Sequence, residues 1–403
     1  MRKTGRTTII FIGSIILILF ISSFFFPSKV SYNNDPLKSQ PEAIKKKEVR
    51  HLKTPEPLKG IYMTQCVAGT PSFRDKIVKL VGETELNSII IDIKDYTGTV
   101  SFITNNPETD KLGGTGCKVS DMPDFVEMLH NKNIYVIGRV TVFQDPLYAK
   151  AHPELAVEKK SDGSVWKDRK GISFIDPGAE SFWDYIITIA TSSYALGFDE
   201  INFDYIRFPS DGDMKDIYFS HTGTTTKKEM LKQFFEYLDS KLARTGMVTS
   251  ADLFGMTTTN TDDLNIGQIL EYALMHFDYV SPMVYPSHYP PAFNGWPDPN
   301  KVPYEIVKFS MAAAVARNKF LYSEISTSTA STSLDLALMK RINPLQLRPW
   351  LQDNDYPIHY TAEMVRKQIQ ATYDAGLTSW MLWDPSNTYT REALELDVAP
   401  ARP

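Results

Sequence analysis

Cysteine is scarce: Cys66 and Cys117 are the only two in the chain. They are too few for a disulfide framework and lack CxxC or metal-ligand spacing, which leaves one bridge or two free thiols. Charge of one sign is also missing, since 43 basic against 48 acidic side chains give a net charge of −5. Without a basic excess, no nucleic-acid partner is expected. The histidines (His51, His130, His152, His221, His276, His288 and His359) form no HxH, HExxH or HxxxH pair, which disfavours a metal-dependent deacetylase or protease. There is no GxSxG elbow and no phosphate loop. Asp262, Asp263 and Asp298 lie in loop-like sequence, but their spacing matches no calcium-binding pattern. No metal and no cofactor is expected.

What is present is ample material for a core: 403 residues, 42% hydrophobic and 12% aromatic. Near the start, Arg2, Lys3 and Arg6 precede an uncharged run at 9–26 dominated by Ile, Leu and Phe. At about 1.5 Å per residue such a run just crosses a bilayer. It ends in Ser22-Ser23-Phe24-Phe25-Phe26-Pro27 rather than a small-residue cleavage site, so 1–27 reads as an uncleaved signal-anchor. Basic residues stay on the cytoplasmic side, which places the remainder outside the cytoplasm. Residues 28–58, with Pro36, Pro41, Lys45 to Lys47, Pro55 and Pro57, read as a flexible tether. A single domain is expected over 59–403.

Within that domain, β-rich runs alternate with amphipathic ones, the pattern of a parallel sheet with helices packed outside. Strands are expected at 60–65, 88–94, 134–142, 200–208, 248–254, 279–285, 347–352 and 379–383. Helices are expected at 72–81, 122–131, 180–196, 227–244, 266–276, 304–317 and 362–375, with a final turn at 390–396. Eight strands and seven intervening helices make an α/β fold of the (β/α)8 barrel type the economical expectation. A doubly wound open sheet is second, because no GxGxxG turn follows the first strand. The stretch 320–344, rich in Ser and Thr, fits neither element and is left open between an extra hairpin and helix or a loop.

In such a barrel the active site lies at the C-terminal strand ends, and side chains alternate in and out along each strand. The fourth segment reads Asn202-Phe203-Asp204-Tyr205-Ile206-Arg207-Phe208-Pro209. Ile201, Phe203 and Tyr205 share the helix-facing parity, so Asn202 and Asp204 point inward. An inward aspartate is costly unless it works or is paired, and a pair with Arg207 or a lysine is the structural alternative. In the fifth segment Ser250, Asp252 and Phe254 face inward, although Asp252 could equally cap a helix or hold the loop at 257–261. In the second, Asp92 and Lys94 face inward together, and an internal ion pair is as reasonable as chemistry. The last three strands end in Tyr285, His288 and Tyr289, then Trp350 and Asp353, then Trp383. Sugars present apolar faces edged with hydroxyls, for which aromatic platforms beside carboxylates are complementary. Tyr205, Tyr285, Tyr289, Trp296, Trp350, Trp380 and Trp383 are the stacking candidates, with core packing the plain alternative for each.

From Lys59 to about Leu394 the chain resembles a large bacterial family of glycosyl hydrolase-like domains built on a (β/α)8 barrel. The resemblance is carried by Lys59-Gly60-Ile61-Tyr62, Ile91-Asp92-Ile93-Lys94-Asp95, the Asn202 to Pro209 segment, Ser281-Pro282-Met283-Val284-Tyr285-Pro286-Ser287-His288-Tyr289, Arg348-Pro349-Trp350-Leu351-Gln352-Asp353 and Trp380-Met381-Leu382-Trp383. It implies a carbohydrate-directed barrel. Chitinase-like barrels carry DxxDxDxE on the fourth strand; the aligned residues here are Asp199, Asn202, Asp204 and Ile206, so their acid glutamate is missing. The α-amylase-like barrels place carboxylates on strands four, five and seven, and Asp204, Asp252 and Asp353 are similar in placement only.

The expected function is a membrane-anchored glycoside hydrolase acting on an extracellular or cell-wall polysaccharide. Asp204 would be nucleophile or base and Asp252 the acid, because an oxocarbenium-like transition state and a leaving oxygen each need a carboxyl group. Asp92, Tyr205, Arg207, Tyr285, His288, Tyr289, Trp350, Asp353 and Trp383 are the expected substrate contacts. The expected partners are a polysaccharide or oligosaccharide, and a membrane through the N-terminal helix. The rival expectation is a catalytically silent barrel that binds envelope glycan; a scaffold with no sugar ligand is the third.

Overall fold

The computed structural model describes residues 49–327 and 341–396. The expected anchor, most of the expected tether and much of the 320–344 stretch lie outside those residues. Eight parallel strands close a barrel: β1 (Lys59–Met63), β2 (Ser88–Lys94), β3 (Tyr135–Thr141), β4 (Glu200–Asp204), β5 (Val248–Phe254), β6 (Tyr279–Met283), β7 (Trp350–Gln352) and β8 (Trp380–Trp383). Each pairs with its neighbours in chain order and β8 closes onto β1. The main helices are α1 (Pro71–Glu83), α2 (Met122–Asn131), α3 (Glu180–Leu196), α4 (Lys227–Leu242), α5 (Leu270–His276), α6 (Pro303–Thr327) and α7 (Ala362–Asp374). The eight-strand expectation holds, and α6 runs ten residues beyond its expected end, turning the start of the 320–344 stretch into helix.

Alternation along the strands divides the core in two. Ile89, Ile91, Ile93, Ile201, Phe203, Ala251, Leu253 and Leu382 pack outward against the helices. Tyr62, Ile90, Tyr135, Ile137, Trp350 and Met381 fill the barrel interior. Trp380 belongs to the outer layer, where its indole N–H donates to the Tyr373 hydroxyl on α7 at 3.0 Å, so it is not a sugar platform. Trp296, half-buried, packs edge-on against Phe309 of α6 at 5.8 Å.

Two corrections concern the edges of these elements. The register of β2 against β3 shifts between Asp92 and Lys94: Asp92 lies opposite inward Arg139, whereas Lys94 lies opposite outward-facing Val140. A bulge moves every later side chain to the other face. Lys94 therefore leaves Asp92 and pairs with Asp145 at 2.9 Å, its ammonium 5.9 Å from the Phe182 ring on α3. The expected Asp92–Lys94 pair does not form. The loops after β3 and β4 also carry something periodicity did not reveal, a two-stranded antiparallel sheet of Glu158–Lys159 and Ile217–Tyr218 packed around Trp166 and Phe174.

The last residues of the expected tether, 49–58, lie among the described residues and bond to the barrel. Residues 49–58 run under the N-terminal ends of the strands. The Leu52 amide donates to Asp199 at 2.6 Å, Thr54 shares a hydrogen bond with the Tyr135 hydroxyl at 3.0 Å, and the Leu58 amide donates to Ser379 at 2.9 Å. Leu58 is fully buried in the interior cluster. Just above it, Arg348 and Glu200 form a buried ion pair at 2.9 Å, with the Tyr135 hydroxyl donating to the same carboxylate at 3.1 Å. Starting the domain at residue 59 instead of Val49 should therefore open the barrel bottom. Loss of the Leu58 side chain alone is expected to cost about 2–5 kcal/mol. Urea denaturation of the two fragments checks this, and equal midpoints would make the segment a mere linker.

Candidate active site

The polar residues of the upper barrel are organised by a side chain that strand patterning did not single out. Arg139 sits third from the end of β3, points inward and is buried. Its Nη1 donates to Asp92 Oδ1 at 2.6 Å from β2. Its Nε donates to Asp204 Oδ2 at 3.1 Å from β4, with Nη2 on the same oxygen. Its Nε also lies 3.9 Å from Asp252 Oδ2 of β5. One guanidinium thus faces three carboxyl groups from three strands, all buried. Aromatic rings close over it: its carbon is 5.3 Å from the Trp383 centroid and 5.6 Å from that of Tyr62, and these rings stack on each other at 4.2 Å.

Each carboxyl group is held differently. Asp204 Oδ1 accepts from the Tyr205 amide at 2.5 Å. That amide is turned inward because Tyr205 adopts φ +52°, a left-handed conformation that a bulky non-glycine residue rarely takes and one that clusters at functional sites. The same turn ends β4 at Asp204 and breaks the expected parity at Tyr205. Asp252 Oδ1 accepts from Asn202 Nδ2 at 2.9 Å and from Trp350 Nε1 at 2.8 Å. Asp92 Oδ2 accepts from the Tyr62 hydroxyl. Burial pushes the Asp252 carboxyl well above the usual carboxylate range, and the charge of Asp204 adds to the effect. Burial also raises Asp92. Three charges around one guanidinium would leave excess negative charge in a dry site, and retaining a proton relieves it.

The other expected contacts divide. Trp350, Trp383 and Tyr285 share the interior cluster; Trp350 meets Trp383 edge-on at 5.8 Å, and Tyr285 is tilted 6.5 Å from Trp383. His288 is exposed beside them, 5.2 Å from the Tyr285 ring. Arg207 turns away from Asp204, its Nη1 donating to the Phe208 carbonyl at 3.0 Å and its guanidinium lying over the Tyr205 ring, so the expected Asp204–Arg207 pair is replaced by Asp204–Arg139. Tyr289 is buried with its hydroxyl 2.8 Å from Ser310 on α6 and contributes to the scaffold rather than the mouth. Asp353 accepts from the Thr390 amide at 3.0 Å and anchors the segment after β8. Burial raises its carboxyl to about 7. Cys66 and Cys117 meet as a disulfide with Cα atoms 4.9 Å apart, joining the loops that follow β1 and β2. No group of His, Cys, Asp and Glu able to hold a metal is found among the described residues.

The family pattern described as "Putative glycosyl hydrolase domain" matches residues 60–389, spanning every barrel strand but the first residue of β1. The chain belongs to this glycosyl hydrolase domain family. Among solved structures, the PgaB (BpsB) glycoside hydrolase domain of Bordetella bronchiseptica matches with a TM-score of 0.54 at 13% identity, covering 81% of this chain and 94% of that one. That likeness concerns the fold. A hypothetical protein from Ruminiclostridium thermocellum is 33% identical over 51% of this chain and 98% of its own, with a TM-score of 0.44. The spore cortex-lytic enzyme SleL of Bacillus megaterium matches at 10% identity and a TM-score of 0.48, over 86% of this chain and 73% of that one. No curated protein matches. Arg139 lies inside the matched region, and the signal that could have found it was parity: it shares the inward face of β3 with Tyr135 and Ile137.

Two outcomes follow from this electrostatic arrangement. Arg139→Met leaves its buried carboxyl partners without a cation, which is expected to cost about 3–5 kcal/mol at pH 7. Asp92 and Asp252, already raised by burial, rise further once the guanidinium that lowers them is gone, so the loss should shrink as pH falls toward about 5; urea titrations at both pH values check it. Asp353, with its folded value near 7 above the unfolded one, stabilises the fold fully only at acid pH, and that contribution is lost as pH rises toward 7. In Asp353→Asn the corresponding slope, at most about 1.4 kcal/mol per pH unit, should vanish from the pH dependence of unfolding between about pH 4 and 7.

Proposed function

We propose that the domain hydrolyses a glycosidic bond in a polysaccharide outside the cytoplasm. The observation that carries the reading is the unequal treatment of two neighbouring carboxyl groups: Asp204 is bound twice by the Arg139 guanidinium, while Asp252 is buried and biased to keep its proton. Glycoside hydrolysis needs that division, one ionised carboxylate as nucleophile or base and one protonated carboxyl as acid. The Oδ2 atoms of the pair reach the same Nε, at 3.1 and 3.9 Å, so they lie no more than about 7 Å apart. A retaining pair, about 5–5.5 Å apart, fits inside that limit, whereas most of the inverting range of about 6.5–9.5 Å does not.

Roles for the surrounding residues follow from their placement. Trp383 and Tyr285 offer rings beside the two carboxyl groups for a sugar face. Asp92, tied to Arg139 and Tyr62, fixes the guanidinium from the far side. Tyr205 and Arg207 border Asp204 at the rim, and His288 borders Tyr285. An extracytoplasmic location is supported by the Cys66–Cys117 disulfide, a bond at home in oxidising surroundings, and by the basic and apolar segments at 1–27. No helix among the described residues is long and apolar enough to cross a membrane, so the anchor reading rests on the sequence of 9–26 alone. The chain enters the domain at the barrel bottom, the face opposite the candidate site.

Product release from cell-wall and exopolysaccharide polymers by Val49–Pro403, run beside Asp204→Asn after both are shown to fold, tests the proposal. Release by the parent and a fall of about a thousandfold or more in the variant is the expected result. Equal release by both would remove Asp204 from the chemistry. Glycan binding without release by either would favour the silent, glycan-binding barrel.

A further inference from the structure

The hydrogen-bond donors around Asp252 are shared unevenly between its two oxygens. Trp350 Nε1 and Asn202 Nδ2 both donate to Oδ1, at 2.8 and 2.9 Å. For Oδ2 the nearest cation atom is Arg139 Nε at 3.9 Å, beyond hydrogen-bond reach. Both donors are locked in place. Trp350 is 1% exposed and braced edge-on by Trp383. Asn202 lies opposite Ser250 in the β4–β5 register, with its Nδ2 also 3.1 Å from Ser250 Oγ. The two side chains approach Asp252 from β7 and β4, so no single strand sets the arrangement.

We propose that Trp350 and Asn202 are positioning residues that confine the acid proton of Asp252 to Oδ2 and stabilise the carboxylate left when that proton departs. The proposal rests on Asp252 being the acid of the reaction above. With two N–H donors on it, Oδ1 has its acceptor sites occupied, so the O–H of the neutral acid is carried by Oδ2. In the reaction the Oδ2–H bond breaks as the proton moves to the glycosidic oxygen. The electron pair of the cleaved C–O bond goes to that oxygen, an oxygen of Asp204 or of a water it deprotonates bonds to the anomeric carbon in its place, and Asp252 is left as the carboxylate. The Trp350 and Asn202 bonds then become charge-assisted without any atom having to move. They are stronger in the transition state than in the ground state, which is the condition for accelerating the step. The titratable and charged groups facing Asp252 are Asp204 of β4, Arg139 of β3 and Tyr285 after β6. Substitution at Trp350 or Asn202 changes none of those charges.

The first test needs no substrate. In the full-length chain in detergent, labelled with 15N-tryptophan, the Trp350 indole signal is identified among the six tryptophans by its loss in Trp350→Phe. It should shift through one titration with a midpoint well above the ordinary carboxylate range, and Asp252→Asn should abolish that shift. A Trp350 signal that stays fixed between about pH 4 and 9, or titrates unchanged in Asp252→Asn, overturns the proposal. The second test uses a polymer that the parent cleaves. Trp350→Phe should lower kcat about ten- to a hundredfold and move the alkaline limb of the kcat/KM profile to higher pH, since the lost donor favoured the carboxylate. Asn202→Ser, too short to reach Oδ1, should move the limb the same way. A limb unmoved in both variants overturns the proposal while leaving the hydrolase reading intact. Failure of the parent to cleave any polymer would sink that reading, and the indole titration would still decide whether Trp350 is bonded to a titrating Asp252.

Discussion

Everything at the top of this barrel depends on one buried cation. Arg139 is enclosed by Tyr62 and Trp383 and surrounded by Asp92, Asp204 and Asp252. A guanidinium remains charged in such a place because it cannot give up its proton at accessible pH, and its planar fork binds carboxylates two atoms at a time. The carboxyl groups have no such constancy. Burial raises Asp252 and Asp92, which biases both toward the neutral form beside the fixed charge of Arg139. On the proposed reading, a carboxyl group pushed up by burial beside one bound by a guanidinium would meet the division of roles that glycosidic cleavage requires.

The interior is built in layers that separate this chemistry from stability. At the bottom, Arg348 and Glu200 pair over the entering segment at 49–58. Ile90, Ile137 and Met381 form an apolar level of the interior. Arg139 and its carboxyl partners occupy the upper part of their strands, near the loop openings. Charged groups at both ends with apolar filling between them keep the two ionic clusters from competing for the same partners. The Cys66–Cys117 bond ties together the first two loops on the upper side, where loop position affects access to the site.

How much of this could be read from the sequence depended on whether the governing interaction was local. All eight strands lie where they were expected, β2 and β5 residue for residue, because period-two alternation is imposed by the backbone itself, while β4 ends four residues early and β7 starts three late; α3 and α2 fell on their expected spans. Asn202, Asp204 and Asp252 were placed inward by parity alone, and parity was right. It failed at Lys94, where a bulge reversed the face, and at Tyr205, where a left-handed turn ended the strand. Arg207 looked like the natural partner for Asp204 because it is three residues away. In space the neighbouring strand supplies Arg139, 65 residues distant.

By itself, then, the sequence determined the alternation of strands and helices, the closed parallel barrel, the inward direction of the carboxylates and membership of a glycosyl hydrolase domain family. These follow from short-range periodicity and from motifs contiguous in the chain. Only the tertiary structure decided which carboxyl group the guanidinium binds and which burial pushes up, that Arg139 stands at their centre, that Asp353 and Tyr289 bond to Thr390 and Ser310, and that residues 49–58 line the barrel bottom. Ion pairs and burial are set by strands adjacent in the barrel but distant in the chain, and a pKa is the sum of those neighbours rather than a property of the residue.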